Sequence, residues 1–487
     1  MARRLLRMFA FLFVALFLLA RSAHAAPPSA APGYSFQRGG WTYVHLQGTP
    51  GEIGYQHGLL LAPQIADFVR VLQIEALHST HRNWQFYRET ARTMLWPHIP
   101  AEYQAELRGI ARGVKAAGGT LDLWDIVAVN GDIELTQYYV PWLEKRGLEK
   151  RGLEKQGIDK HTHAQLTPSV RPEGRCSAFI ATGSYTKGGQ IVIAHNNWTG
   201  YAAGERWTIV FDIAPTHGHR MIMDGAPGII TSQDDFGEND AGLMITETTI
   251  TDFLGWKDDG IPEFARSREA MQYATSIDQY VDIMRKGNNG GYANDWLIGD
   301  RKTGEIAYLE LGLKHSPLWR TKDGYFVSSN FARDPEVIRD ETPGFNPRDL
   351  STSPNARHVT WDEKMAEYKG RIDLKLAEEF LGDHYDSYVK KVQADQRSLC
   401  GHVENVKAGI PEWDWAPYYP GGAVTGKAAD SEMAAHMELA ARAGHPCGED
   451  FHAAPFLAAH PQYGYLKPVL KDMDAGPWTV FSAGEQK

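Results

Sequence analysis

The spacing of hydrophobic positions changes along the chain and divides it. A basic start at Arg3, Arg4 and Arg7 leads into an apolar run from Met8 to Ala20, followed by Arg21-Ser-Ala23-His-Ala25. This order of basic residues, short apolar run and small-x-small site predicts a secretory signal peptide over residues 1–25. The run is too short to span a bilayer, which needs about 20 apolar residues, and no later stretch approaches that length. Residues Ala26 to Phe36, rich in Pro, Ala and Ser, read as a flexible lead-in. Trp41–Gln47 reads as a strand. Helical spacing runs from Gly54 to Leu77 and again over Ala101–Ala117, which contains Glu106-Leu-Arg-Gly-Ile-Ala-Arg-Gly113.

Leu143-Glu-Lys-Arg-Gly then recurs at Leu148 and, with Gln for Arg, at Leu153. A five-residue period fits neither helix nor strand, and its glycines weaken a helix, so a solvated loop is expected. It continues through Lys160-His-Thr-His and Pro168–Arg175. The texture changes at Cys176. Strands are expected at Ser177–Gly183, Gln190–His195, Trp207–Ile213, Arg220–Met223, Ile229–Gln233 and Leu243–Thr249, separated by turn signals such as Lys187-Gly-Gly. A helix over Glu263–Arg285 precedes strands at Asp295–Gly299, Glu305–Leu311 and Tyr325–Ser329. Helical stretches close the chain at Asp373–Leu381 and Ser431–Ala443. The pattern predicts an α+β fold, an antiparallel sheet system covered by helices.

Composition narrows the function. With 60 acidic against 50 basic residues and a net charge of −10, the chain lacks the basic field that nucleic acid binding requires. Export implies an oxidising compartment. Of the three cysteines, Cys400 and Cys447 can pair as a disulfide, which leaves Cys176 unpaired. Cys176 directly follows the polar loop and opens a strand. Cleavage between Arg175 and Cys176 would give Cys176 a free α-amine beside its own thiol. With a reference pKa near 8, that amine can serve as general base at neutral pH. The thiol could itself cut the bond by attacking the preceding carbonyl.

Four ordered blocks carry a resemblance. They are Cys176-Ser-Ala-Phe, Ala194-His195-Asn196-Asn197-Trp198-Thr, Pro227-Gly-Ile-Ile-Thr-Ser-Gln-Asp234-Asp235-Phe leading into Gly242-Leu-Met-Ile-Thr-Glu247-Thr-Thr-Ile250, and Asn289-Gly-Gly-Tyr292-Ala-Asn294-Asp-Trp296. In these the chain resembles the phospholipase B-like (lamina ancestor) family of N-terminal-nucleophile hydrolases. The wider superfamily, including penicillin acyltransferase-like enzymes, usually carries Arg-Asn-x-Asp where this chain has His195-Asn-Asn-Trp198. The resemblance implies a four-layer αββα sandwich with a pro-segment over residues 26–175 and a catalytic chain over 176–487. It implies Cys176 as nucleophile, His195 orienting the amine or thiolate, Asn294 donating to the oxyanion and Trp198 walling the pocket. Asn196, Asn197, Glu247 and Asn330 are further pocket or positioning candidates. Asp234 and Asp235 have no assignable chemistry.

The expected reaction is hydrolysis of acyl ester or amide bonds, with deacylation of phospholipids or lysophospholipids implied by the family. An N-acyl amide hydrolase or acyltransferase is the alternative, and a non-enzymatic binding protein on the same fold is a third reading. The aromatic loop around Trp413 and Trp415 could receive an acyl chain. The cleaved pro-segment is expected to stay bound, and the protein to be secreted or periplasmic, or in a lysosome-like compartment if eukaryotic. No cofactor or metal is implied. His161-Thr-His163 and His217-Gly-His219 each lack a third ligand, and neither Gly-x-Ser-x-Gly nor His-Glu-x-x-His occurs.

Overall fold

Alternate residues of each strand enter different hydrophobic layers, and this alternation stacks two sheets. The computed structural model describes residues 33–154, 176–232 and 236–486. The expected signal peptide, most of the lead-in, residues 155–175 with Arg175, and Asp234 and Asp235 lie outside the described residues.

The strands in chain order begin with β1 (Tyr34–Arg38), β2 (Trp41–Gly48), β3 (Cys176–Thr182), β4 (Val192–Gly200), β5 (Ile209–Pro215), β6 (Met221–Gly225), β7 (Gly237–Asn239) and β8 (Leu243–Thr249). They continue with β9 (Asn294–Asp300), β10 (Glu305–Leu311), β11 (Leu318–Thr321), β12 (Gly324–Ser328), β13 (Tyr385–Asp386), β14 (Lys391–Val392), β15 (Gly421–Asp430), β16 (Glu438–Ala443) and β17 (Thr479–Ser482). Sheet one has nine strands in the order β1-β2-β5-β6-β7-β8-β9-β10-β11, and sheet two has six, β12-β3-β4-β15-β16-β17. The pairings are antiparallel except β2 with β5.

Between the sheets, Ala178, Ile180, Ile193 and Ala429 of sheet two pack against Tyr43, Ile222, Met244 and Leu297 of sheet one. The outer face of sheet one, with Phe211, Ile245 and Trp296, is covered by α1 (Pro50–Thr80), α2 (Ala101–Ala116), α4 (Glu263–Tyr273) and α5 (Ile277–Arg285). Phe179, Val192 and Val327 on the outer face of sheet two meet Trp361 and Met365 of α6 (Ser353–Glu367) and Phe380 of α7 (Leu374–Leu381). The layers run helix, sheet, sheet, helix, as expected. Among the described residues, no helix is long and apolar enough to cross a membrane.

Several local expectations are corrected. The Leu-Glu-Lys-Arg-Gly repeats up to Glu154 belong to helix α3 (Val140–Glu154) rather than a loop. Leu, Glu, Lys and Arg are all good helix formers, which outweighs about 1 kcal/mol per glycine. The supposed lead-in contributes β1, whose Tyr34 stacks on His45 with ring centroids 4.9 Å apart. The single helix at 263–285 is two, because Ser276 accepts a bond from Gln279 N and starts a new helix. Residues 229–232 form a buried loop instead of a strand. Asn130 takes over its backbone bonding, accepting from Ile230 N at 2.9 Å and donating to Gly228 O at 2.8 Å. The helix expected over Ser431–Ala443 stops at Ala435, and β16 follows. There, pairing with both β15 and β17 overrides the helical preference of alanine.

Helices α1 and α2 meet through glycines four residues apart on each. A Cβ on Gly54 or Gly58 would lie 1.9 or 2.0 Å from the carbonyl oxygens of Glu106 and Ile110. One on Gly113 would lie 2.2 Å from the Tyr55 oxygen. Gly58→Ala is therefore expected to cost about 1–3 kcal/mol of stability through overpacking, read as a lower urea midpoint with an unchanged slope. On the same helix, buried His57 accepts a bond from Gly228 N at 2.9 Å, and burial, then the charge of Arg268, push its pKa down to about 3. Between the ordinary value near 6.5 and about 3, the unfolded chain binds a proton that the folded chain refuses. This term therefore removes stability as pH falls, by up to about 1.4 kcal/mol per unit. His57→Gln, which keeps an acceptor, should flatten the decline of stability between pH 6.5 and 4.5 relative to the parent.

Candidate active site

Cys176 opens β3 and is buried. In the β3–β4 register it stands opposite Asn197, and Ala178 stands opposite His195. Ala178 and Ile180 belong to the layer between the sheets. Strand parity therefore turns Cys176, Asn197 and His195 inward and Ser177, Asn196 and Trp198 outward.

Three contacts define Cys176. Its Sγ lies 3.9 Å from Asn197 Oδ1, its backbone N donates to Asn330 Oδ1 at 3.0 Å, and its carbonyl accepts from Arg357 Nη1 at 2.6 Å. Asn330, just after β12, adopts a left-handed backbone with φ 70°. That conformation is unfavourable for a residue with a side chain and persists where surroundings fix it. Here they do: Asn330 N donates to Thr248 Oγ1 at 3.2 Å, and Nδ2 donates to Thr249 O at 3.0 Å.

Arg357 projects from α6 and is fully buried. Besides Cys176 O, it donates to Asn330 Oδ1 at 2.9 Å, Ser329 O at 3.2 Å and Ser353 Oγ at 3.0 Å. Its guanidinium carbon stands 4.5 Å from the Trp198 ring centre and 5.5 Å from that of Trp413. Its hydrogen-bond partners are thus neutral oxygens and its flanks aromatic faces. Burial pulls its pKa down to about 9, against the pull of Cys176 and Glu412. Sequence reasoning missed this residue. The available signal was the Arg357, Trp361, Met365 stripe, which places a cation in line with the apolar face of a helix.

The remaining candidates divide by position. His195 is fully buried, and neither ring nitrogen has a hydrogen-bond partner among the described residues. Burial, then the charge of Lys427, hold its pKa well below the usual range, so the ring is neutral. Asn197 Nδ2 is likewise buried without a partner. Asn294 starts β9 opposite Thr249, and its whole carboxamide is buried and unpaired among the described residues, but strand parity turns it to the helix-facing side of sheet one with Trp296, away from the layer that holds Cys176. Across the β8–β9 register it neighbours the strand residue whose carbonyl holds Asn330. Glu247 accepts from Tyr292 Oη at 3.0 Å and shares the helix-facing side of sheet one with Trp296. Asn196 faces outward, donating to Leu381 O at 2.7 Å and Leu399 O at 2.9 Å. Trp198 Nε1 also donates to Leu399 O, at 3.2 Å.

Cys400 and Cys447, expected as a disulfide, are separate thiols. Each sulfur turns to the same ring nitrogen, His402 Nε2, at 3.6 and 3.5 Å. A cavity of about 250 Å³ is lined in part by Trp413, whose ring centre stands 5.5 Å from the Arg357 guanidinium carbon. Thr199, two residues beyond Asn197 on β4, lines it together with Trp415, Tyr419, Tyr463 and Glu75.

A family profile for phospholipase B matches residues 66–310. An uncharacterized protein of Archaeoglobus fulgidus is 22% identical over 294 residues, 55% of this chain and 43% of that protein. Putative phospholipase B-like 2 of Rattus norvegicus is 31% identical over 28% of this chain and 25% of its own length. Phospholipase B-like 1 of Homo sapiens is 32% identical over 26% and 25% respectively. The matches thus span less than half of these relatives. A mutant conjugated bile acid hydrolase from Clostridium perfringens superposes with a TM-score of 0.33 at 12% identity, covering 55% of this chain and 88% of that one.

Replacing Arg357 by methionine would take the side-chain donor from two buried carbonyls, Cys176 O and Ser329 O, while Asn330 Oδ1 keeps its bond from Cys176 N. At about 1–3 kcal/mol for each unsatisfied buried group, a loss of at least about 2 kcal/mol is expected from urea unfolding. Arg357→Lys should lose less, since an ammonium restores charge but cannot span all three oxygens.

Proposed function

The chain belongs to the phospholipase B family, and from that premise we propose that it is an exported, self-processing cysteine hydrolase of acyl bonds. Its preferred reaction in this reading is deacylation of phospholipids or lysophospholipids. The observation that carries the reading is the grip on Cys176: its nitrogen on Asn330 Oδ1 at 3.0 Å and its thiol beside the unpaired Asn197 amide. The nitrogen already held by Asn330 is the one that cleavage after Arg175 would free.

Maturation starts with Cys176 Sγ attacking the Arg175 carbonyl. The peptide C–N bond breaks, the nitrogen takes a proton, and the resulting thioester is hydrolysed by water. The freed α-amine, oriented by Asn330, then removes the thiol proton. The thiolate attacks the substrate acyl carbonyl, and the tetrahedral oxyanion accepts a hydrogen bond from the buried Asn197 carboxamide. Collapse expels the alcohol or amine, protonated by the ammonium, and water releases the acyl group from sulfur. The buried Arg357 cation favours negative charge around Cys176 throughout. His195, neutral and enclosed, shapes the wall behind the nucleophile without supplying charge.

The pro-segment stays bound in this scheme. It contributes β1 and β2 to sheet one, and α1 and α2 to the core over that sheet. The cavity beside Trp413 would take part of the acyl or head group. Delivery by the N-terminal leader would place the enzyme outside the cytoplasm, in the periplasm or medium, or in a lysosome-like compartment of a eukaryote.

The test is to isolate the protein, sequence the N-terminus of its larger fragment and assay phospholipids, lysophospholipids and N-acyl amides. A start at Cys176, co-elution of both fragments on native size exclusion and release of fatty acid are expected. Cys176→Ala should remain a single uncut chain without hydrolysis. Asn197→Ala should lower kcat by about 10²–10³-fold. Turnover by Cys176→Ala at the parental rate would overturn the mechanism. Preference for N-acyl amides would move the enzyme to the acyltransferase-like reading, and cleavage without any turnover would favour a binding protein.

A further inference from the structure

The two thiols that do not form a disulfide are part of a larger cluster. His384, Cys400, His402 and Cys447 present one ligand atom each, all within 4.8 Å of one another. Cys400 and His402 are buried and the other two half-buried. We propose that these four side chains form a structural zinc site of the Cys2His2 type, closed to substrate and separate from the nucleophile.

The sulfur–nitrogen separations fit tetrahedral zinc coordination. Zinc bonds of about 2.3 Å to sulfur and about 2.0–2.1 Å to nitrogen, at tetrahedral angles, place S and N ligands about 3.6 Å apart. His402 Nε2 stands 3.6 Å from Cys400 Sγ and 3.5 Å from Cys447 Sγ. His384 Nε2 is shielded and has no hydrogen-bond partner among the described residues.

Outer contacts match a metal site as well. His402 Nδ1 lies 3.1 Å from Glu404 Oε1, and Glu404 Oε2 accepts from Tyr201 Oη at 2.5 Å. A carboxylate behind a ligating imidazole fixes its tautomer and leaves Nε2 as the metal donor. Glu449 N points at Cys447 Sγ at 3.4 Å, a backbone donor to a thiolate. Four protein ligands complete a tetrahedron and leave no open position, which marks a structural rather than a catalytic centre.

The ligands also come from places that need joining. His384 follows α7, Cys400 and His402 flank Gly401 on the loop leading to β15, and Cys447 follows β16. Between α7 and β15 the chain has only the short β13–β14 hairpin and single 3-10 turns. This loop supports the candidate active site, because a Cβ on Gly401 would lie 1.9 Å from the Trp198 ring. A metal clamp would hold Trp198, and through it Arg357, in place.

The experiment uses full-length protein produced in zinc-supplemented medium and purified without chelators. Elemental analysis should find about one zinc per chain. Exchange with cobalt(II) alone should give thiolate-to-cobalt charge-transfer absorption and the intense visible bands of a tetrahedral site. His384→Ala and Cys447→Ser should lose most of the metal and melt lower. Should a variant fail to fold, the cobalt spectrum of the parent still decides the question. Cys176→Ala should keep full zinc, so failure of the catalytic reading and failure of this one are distinguishable. The proposal is overturned by a parent protein that binds neither metal after reconstitution under reducing conditions. An intact mass two hydrogens lighter, with Cys400 and Cys447 recovered in one disulfide-linked peptide pair, would overturn it too.

Discussion

The guanidinium of Arg357 is the interaction on which the end of the fold around Cys176 depends. Moving such a cation out of water costs several kcal/mol even after the protein relaxes. The chain offsets that cost with neutral acceptors and two indole faces. The arrangement works only if all of them hold still. Cys176 O, Ser329 O, Asn330 Oδ1 and Ser353 Oγ come from β3, the end of β12 and α6 itself. One side chain therefore fixes the first residue of a strand, the left-handed turn that grips its nitrogen and the helix above them. A loose strand end would leave a buried charge undersolvated, so order at Cys176 follows from energetics and not from strand pairing alone.

The same economy extends to the join between the segments before and after Cys176. The parallel pairing of β2 with β5 joins the segment before Cys176 to the segment after it through main-chain bonds. The glycine contacts of α1 and α2 bring those helices close enough to share one hydrophobic layer over sheet one. A bond broken just before β3 removes no strand from either sheet. The proposed cleavage is compatible with a stable fold because the layers, not the connection, carry the stability.

Much of this was legible in the sequence where a signal was local and periodic. Alternation marked most strands of both sheets, and the long spacing of α1 and α2 needed no tertiary information. The failures share a cause in non-local context. Leu439, Ala440 and Ala441 prefer a helix by themselves and become β16 because strands flank them on both sides. The loop at 229–232 resembled a strand because Ile229 and Ile230 are buried, but Asn130, about a hundred residues earlier, supplies its bonding. At the site, Cys176, His195 and the asparagines stood out as chemistry-bearing residues in blocks. Arg357 did not, since its place in the Arg357, Trp361, Met365 stripe marks a cation on an apolar helix face but not the two indoles and the strand end that enclose it. The cluster of His384, Cys400, His402 and Cys447 was invisible for the same reason, its members being spread over sixty residues with no repeated spacing.

The block His195-Asn196-Asn197-Trp198 shows why four consecutive residues can each be constrained differently. Strand alternation sends His195 and Asn197 into the layer between the sheets, where one packs beside a buried lysine and the other faces the thiol. It sends Asn196 and Trp198 to the opposite face, where both donate to Leu399 O and Asn196 also reaches Leu381 O. Those carbonyls lie just before the segments that carry Cys400 and His384. A change at Asn196 would therefore disturb the C-terminal loop while leaving the thiol's own neighbours in place, and a change at Asn197 would do the reverse. Trp198 belongs to both sides, since it bonds the loop through Nε1 and stacks on Arg357 through its ring. The strand thus links the position of the C-terminal loop to the surroundings of Cys176 through one indole, which makes that loop part of the candidate site's architecture.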